Sequence, residues 1–86
     1  VIQSANDGVQ IQTLADRIER LQAEARNLAR EQIVALEAKL KETASLALEI
    51  SQGGDPYPVG VRELARRTAE DASRQAMTLT AIMSRV

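Results

Sequence analysis

Four arginines in the C-terminal part of the chain, Arg62, Arg66, Arg67 and Arg74, are the side chains best fitted to act on something outside it. A guanidinium is a planar fork of donors that matches phosphate, so several at helical spacing could grip a nucleic-acid backbone. A second group, Arg17, Arg20, Arg26 and Arg30, lies upstream. Both groups are threaded with acids: Asp16, Glu19, Glu24 and Glu31 in one, Glu63, Glu70 and Asp71 in the other. Asp16 to Arg20, Glu37 to Lys41, Glu63 to Arg67 and Glu70 to Arg74 stand at i,i+4, where an ion pair supports a solvated helix face. The 86 residues hold no Phe, no Trp and one Tyr, so no aromatic platform is available for bases to stack on. Eleven basic against twelve acidic residues leave a net charge of −1, without the excess that a nucleic-acid or anionic-membrane surface needs.

Chemistry on a bound substrate has less to stand on. The chain has no His and no Cys. That removes Cys/His zinc sites, thiol nucleophiles, disulfides, phosphohistidine and any Ser-His-Asp triad. The carboxylates are scattered along helix faces beside arginines, and no sequence resembles a calcium-binding loop. A di-metal carboxylate bundle would need Glu-x-x-His pairs. The expectation is a non-enzymatic protein without metal or cofactor.

The run Val61-Arg62-Glu63-Leu64-Ala65-Arg66-Arg67-Thr68 resembles the first helix of a helix-turn-helix DNA-binding unit. In such a unit, Gly and a recognition helix follow. Here Ala69-Glu70-Asp71-Ala72 follows, with no glycine to turn the chain and with acid where DNA calls for base. The resemblance spans eight residues. Nucleic-acid contact through Arg62, Arg66, Arg67 and Arg74 therefore stands as the alternative reading, behind a solvated helix surface.

The elements that would carry these side chains follow from punctuation and spacing. Both prolines, Pro56 and Pro58, and three of the four glycines lie between Gln52 and Gly60. Val9–Ser51 and Val61–Val86 have neither residue. The expectation is an all-α, long antiparallel helical hairpin: a helix from about 9 to 51, a Gly/Pro turn at about 52–60 and a helix from about 61 to 86. It forms one domain over 1–86, in which residues 1–8, through Asn6-Asp7-Gly8, read as a flexible lead-in. Within the turn, Gly53 or Gly54 can take the left-handed position that ends the first helix. Asp55 is a candidate N-cap, although Pro58 argues for a later start. Tyr57 reads as a plug over the open end of the hairpin.

The apolar residues are 14 Ala, 9 Leu, 6 Ile and 6 Val with 2 Met, a set suited to closely packed helices. In the first helix Ile11, Leu14, Ile18, Leu21, Ala25 and Leu28 step by threes and fours as a heptad seam. Ala25, Ala29, Ile33 and Leu36 then step 4, 4, 3, a stutter that unwinds a left-handed supercoil locally. Leu40, Ala44, Ala47 and Ile50 continue the seam. The second helix shows Val61, Leu64/Ala65, Thr68, Ala72, Ala76, Leu79 and Ile82/Met83, with an alanine stripe in its middle.

Lengths then create a mismatch. A helix of about 43 residues spans about 65 Å, and one of about 26 residues about 39 Å. Folding back from the turn, the second helix reaches roughly Ala25. Ile11, Leu14, Ile18 and Leu21 are left without a partner in their own chain. These four are the expected self-association residues, pairing with a second copy as a two-fold dimer, either as a four-helix bundle or as a longer antiparallel coiled coil. Another helical protein is the other candidate partner. A membrane is a poor one, because the polar faces are mixed in sign and no apolar run approaches a spanning length. Val1-Ile2-Gln3-Ser4 has no leader pattern, so the expected compartment is the cytoplasm. Nine Arg against two Lys point toward a bacterial source.

Overall fold

The computed structural model describes the backbone of residues 2–86 and the side chains of residues 13–86. Two helices are present, α1 (Ile2–Ser51) and α2 (Val59–Met83). Residues divide into two compact units, Val1–Gln32 and Ile33–Val86.

Long helices are the outcome that residue type favours here. Ala, Leu, Glu, Gln and Arg dominate, and each loses little side-chain freedom in a helix. Three boundaries differ from the sequence expectation. α1 begins at Ile2 rather than near Val9, so Asn6-Asp7-Gly8 lies within it. One glycine in a helix interior is unfavourable by only about 1 kcal/mol relative to Ala, too little to stop a helix without a proline. α2 begins at Val59 and ends at Met83, shorter at its end than the expected run to Val86. The hairpin unit accordingly begins at Ile33, not near Ala25. α1 has no break between Leu28 and Ile33, so the stutter is absorbed without loss of helix.

In the hairpin unit the helices meet along alanine. The buried side chains are Ala47 on α1 and Ala65, Ala69, Ala72 and Ala76 on α2, the last only 3% exposed. Ala47, Ala65 and Ala69 form a cluster against which Ile50 packs. A side chain of one carbon lets two helix backbones approach to the near end of the usual interhelical range. Ile33, Leu40, Ala44, Leu79 and Met83 are half-buried beside this line. Leu36, Val61, Leu64 and Ile82, expected in the seam, are exposed instead. Helices drawn close by alanine have no room between them for those longer side chains, which stand on the flank.

The turn is built for a stop and a restart. Gly54 takes φ +76°, the left-handed region. The Gln52 N–H donates to the Leu48 carbonyl at 3.1 Å and the Ser51 hydroxyl to the same oxygen at 2.7 Å, occupying an end carbonyl of α1. Tyr57 N–H closes on the Gly54 carbonyl at 3.0 Å. Pro58 occupies the N-cap of α2 with no side-chain cap, and Asp55 is not used as one. Pro56 lies within the turn that Tyr57 closes, and Pro58, at φ −55° and ψ 146°, is extended and keeps Tyr57 out of the helical region, so α2 starts at Val59. The Tyr57 ring lies over Gly53, where a Cβ would collide with it, and the side chain is 39% exposed. It therefore braces the turn instead of plugging a core.

The three turn-region glycines predict different signs on replacement by Ala. Gly60 lies in the first turn of α2 with open space around it, so Gly60→Ala stabilises by about 0.4–1 kcal/mol. Gly54→Ala destabilises by about 1–2 kcal/mol, because Cβ opposes the left-handed backbone. Gly53→Ala destabilises in the parent, and much less when combined with Tyr57→Ala. Thermal melts followed by circular dichroism rank the three.

Candidate interaction surfaces

In the unit Val1–Gln32, α1 carries its apolar residues in the open. Leu14 is 57%, Ile18 50%, Leu21 61% and Leu28 65% exposed. Ile11, the first member of the expected self-association set, lies outside the described side chains. The three described members share one stripe because steps of 4 and 3 return to the same side of a helix. The opposite side is charged, with Asp16, Glu19, Arg20 and Arg26 lining a shallow groove of mixed sign. The i,i+4 pair expected between Asp16 and Arg20 is not among the ion pairs of the described residues.

The four arginines of α2 are brought against groups of their own chain. Arg62 Nε donates to the Tyr57 carbonyl at 3.0 Å, tying the first turn of α2 back to the loop. Arg66 lies between Glu63 at 2.7 Å and Glu70 at 2.8 Å. Arg67 Nε is 3.9 Å from Glu63. Arg74 pairs with Asp71 at 3.0 Å, one turn back, rather than with Glu70 as its spacing allowed. Hydrogen bonding to Arg66, its charge and then that of Arg67 hold the Glu63 carboxyl below the usual carboxylate range. The same Glu63 hydrogen bond, with the charges of Glu63 and Glu70, raises the Arg66 pKa. A phosphate would have to displace these anions, so the arrangement is that of a helix face satisfied by its own charges.

One polar contact spans the hairpin. Thr80 Oγ1 donates to Glu37 Oε1 at 2.7 Å, and Lys41 Nζ lies 3.1 Å from the same oxygen. The Glu37 side chain is only 21% exposed. The Thr80 hydroxyl first, and Lys41 second, lower the Glu37 pKa.

The hairpin also has an apolar flank that the sequence reading did not separate from its core. Leu36, Leu40, Leu79 and Ile82 line one groove on it, and Leu46, Ile50, Val61 and Leu64 line another. The other flank is more polar, with Lys41, Ser45, Ser73, Thr80 and Ser84 around a groove. The signal for the apolar flank was present as doubled positions, Leu64 beside Ala65 and Ile82 beside Met83. In each pair the smaller or more flexible residue goes to the helix contact. Among the described residues there is no group of three or more Asp or Glu placed to hold a metal ion. No described helix is long and apolar enough to cross a membrane.

Two outcomes follow from this electrostatic layout. Arg66→Ala with Arg67→Ala leaves the thermal midpoint close to that of the parent, because exposed ion pairs contribute little. Nucleic acid that co-purifies with the parent and is lost in this double variant would favour the alternative reading. For Glu37, the folded-state pKa lies below the unfolded value. Its contribution to stability is therefore present above the unfolded glutamate range, near 4.3, and lost as pH falls through the lower folded value. Glu37→Gln should flatten that acid-side loss in melts recorded from pH 6 downward, and Thr80→Val should reduce it in part.

Comparison with family models, curated proteins and solved structures finds no match to this chain.

Proposed function

We propose that the chain is a non-enzymatic, self-associating helical module whose α1 seam pairs with a second copy. The observation that carries this reading is the row Leu14, Ile18 and Leu21, at heptad spacing and half or more exposed. Each such side chain contributes roughly 1.5–3 kcal/mol when moved from water into a packed interface. Several in register offset the loss of freedom on pairing.

The hairpin adds a second reason. Its buried side chains are all alanines, which bury little area. A unit of this size with so thin a core is marginal by itself, and association is a usual remedy in a chain without cysteine to form disulfides. Two copies can close as a bundle of four helices or through α1 pairing alone. Either form is isologous, the same patch meeting itself across a two-fold axis.

Leu14→Asp with Leu21→Asp tests the reading by placing two charges in the seam, where burial without partners is strongly unfavourable. The parent is expected to sediment as a dimer at tens of micromolar, and the double variant as a monomer or with reduced helicity. A parent that sediments as a monomer throughout that range overturns the proposal.

A further inference from the structure

The charges beside the α1 seam carry information about orientation and register. In heptad terms Ile18 and Ala25 occupy position a, and Leu14, Leu21 and Leu28 position d. Position g, next to the seam, then holds Arg17, Glu24 and Glu31, and position e holds Ala15, Gln22 and Ala29. Charged g and e residues set partner and direction in paired helices. Arg17 and Glu24 are exposed, and neither is among the ion pairs formed by the described residues.

Parallel pairing places g of one helix against e of the next heptad in the other. Arg17 would face Gln22 and Glu24 would face Ala29, so neither charge finds its opposite. Antiparallel pairing places g against g. With Ile18 of one copy against Leu21 of the other, Arg17 faces Glu24, and the two-fold axis makes the contact twice. In that register Leu14 meets Ala25, a large side chain against a small one. Charge guards the register unequally on its two sides. A slip of one heptad toward the N-terminus sets Arg17 against Arg17, whereas a slip toward the C-terminus sets Glu24 against Glu24 once but Arg17 against Glu31 twice.

From this juxtaposition we infer that a second copy docks antiparallel on the α1 seam, with Ile18 against Leu21 and Arg17 against Glu24 across the two-fold axis. The inference rests on the self-association proposed for this chain and adds the direction and register of the pairing. Positions e on the other side of the seam are small or neutral, Ala15 and Gln22 facing each other, and oppose no like charges in this arrangement.

Charge reversal tests it directly. Arg17→Glu alone puts Glu against Glu twice, and Glu24→Arg alone puts Arg against Arg twice. Each variant should self-associate roughly tenfold more weakly than the parent, since like charges replace two attractions. An equimolar mixture of the two restores both attractions and should sediment as a heterodimer. Helicity of each variant by circular dichroism confirms that α1 persists. Because the chain has no cysteine, a second readout uses otherwise unchanged copies. Leu14→Cys mixed with Ala25→Cys should oxidise to a crosslinked heterodimer. Leu14→Cys alone should not crosslink, because its two copies would lie about 16 Å apart along the axis. A parent dimer indifferent to both reversals, or a Leu14→Cys variant that crosslinks efficiently to itself, overturns the antiparallel register while self-association stands. A monomeric parent overturns both.

Discussion

The contact on which the hairpin depends is the line of buried alanines, Ala65, Ala69, Ala72 and Ala76 on α2 and Ala47 on α1. One-carbon side chains bring the helices close, and close helices exclude anything longer from between them. That single constraint decides the rest of the unit. Ile33, Leu40, Leu79 and Met83 find half cover beside the line. Leu36, Leu46, Val61, Leu64 and Ile82 are pushed to a flank and stay exposed. Polar matching across the interface is confined to one place, where Thr80 reaches Glu37. Such a core gains from dispersion along the close backbones more than from hydrophobic area, which is small for Ala.

The unit Val1–Gln32 follows a different rule. Its apolar stripe consists of Leu and Ile at heptad spacing, the side chains that fill the knobs-into-holes layers of paired helices. Alanine favours a short, close contact between helices already tied by a turn. Leucine and isoleucine favour a wider seam, able to hold strands that must find each other in solution. The two units thus differ in the volume of their apolar side chains, alanine along the folded-back contact and leucine with isoleucine along the exposed stripe.

Charge adds little strength to the α2 face. Along α2 the arginines are satisfied locally by Glu63, Glu70 and Asp71, and Arg62 by a loop carbonyl. These contacts are exposed and individually weak. They nevertheless leave that face without a coherent sign to offer a polyanion. Along α1, Arg17 and Glu24 border the apolar stripe without an ion-pair partner among the described residues.

Two helices, the Gly/Pro turn between them and the alanine contact stripe were legible in the residues, because helix propensity, proline placement and the 3–4 step are local properties. That Leu14, Ile18 and Leu21 share one stripe of α1 was legible for the same reason, and their exposure is what the structure adds. Only the tertiary structure decided which of two adjacent apolar residues faces the partner helix, as at Leu64 and Ala65 or Ile82 and Met83. Periodicity assigns a residue to a face about 100° wide, whereas the distance between helix axes, set by the smallest side chains at the contact, selects within that face. The tertiary structure also set Thr80 against Glu37. A contact across 43 residues of chain depends on what the fold brings near, which no local spacing encodes.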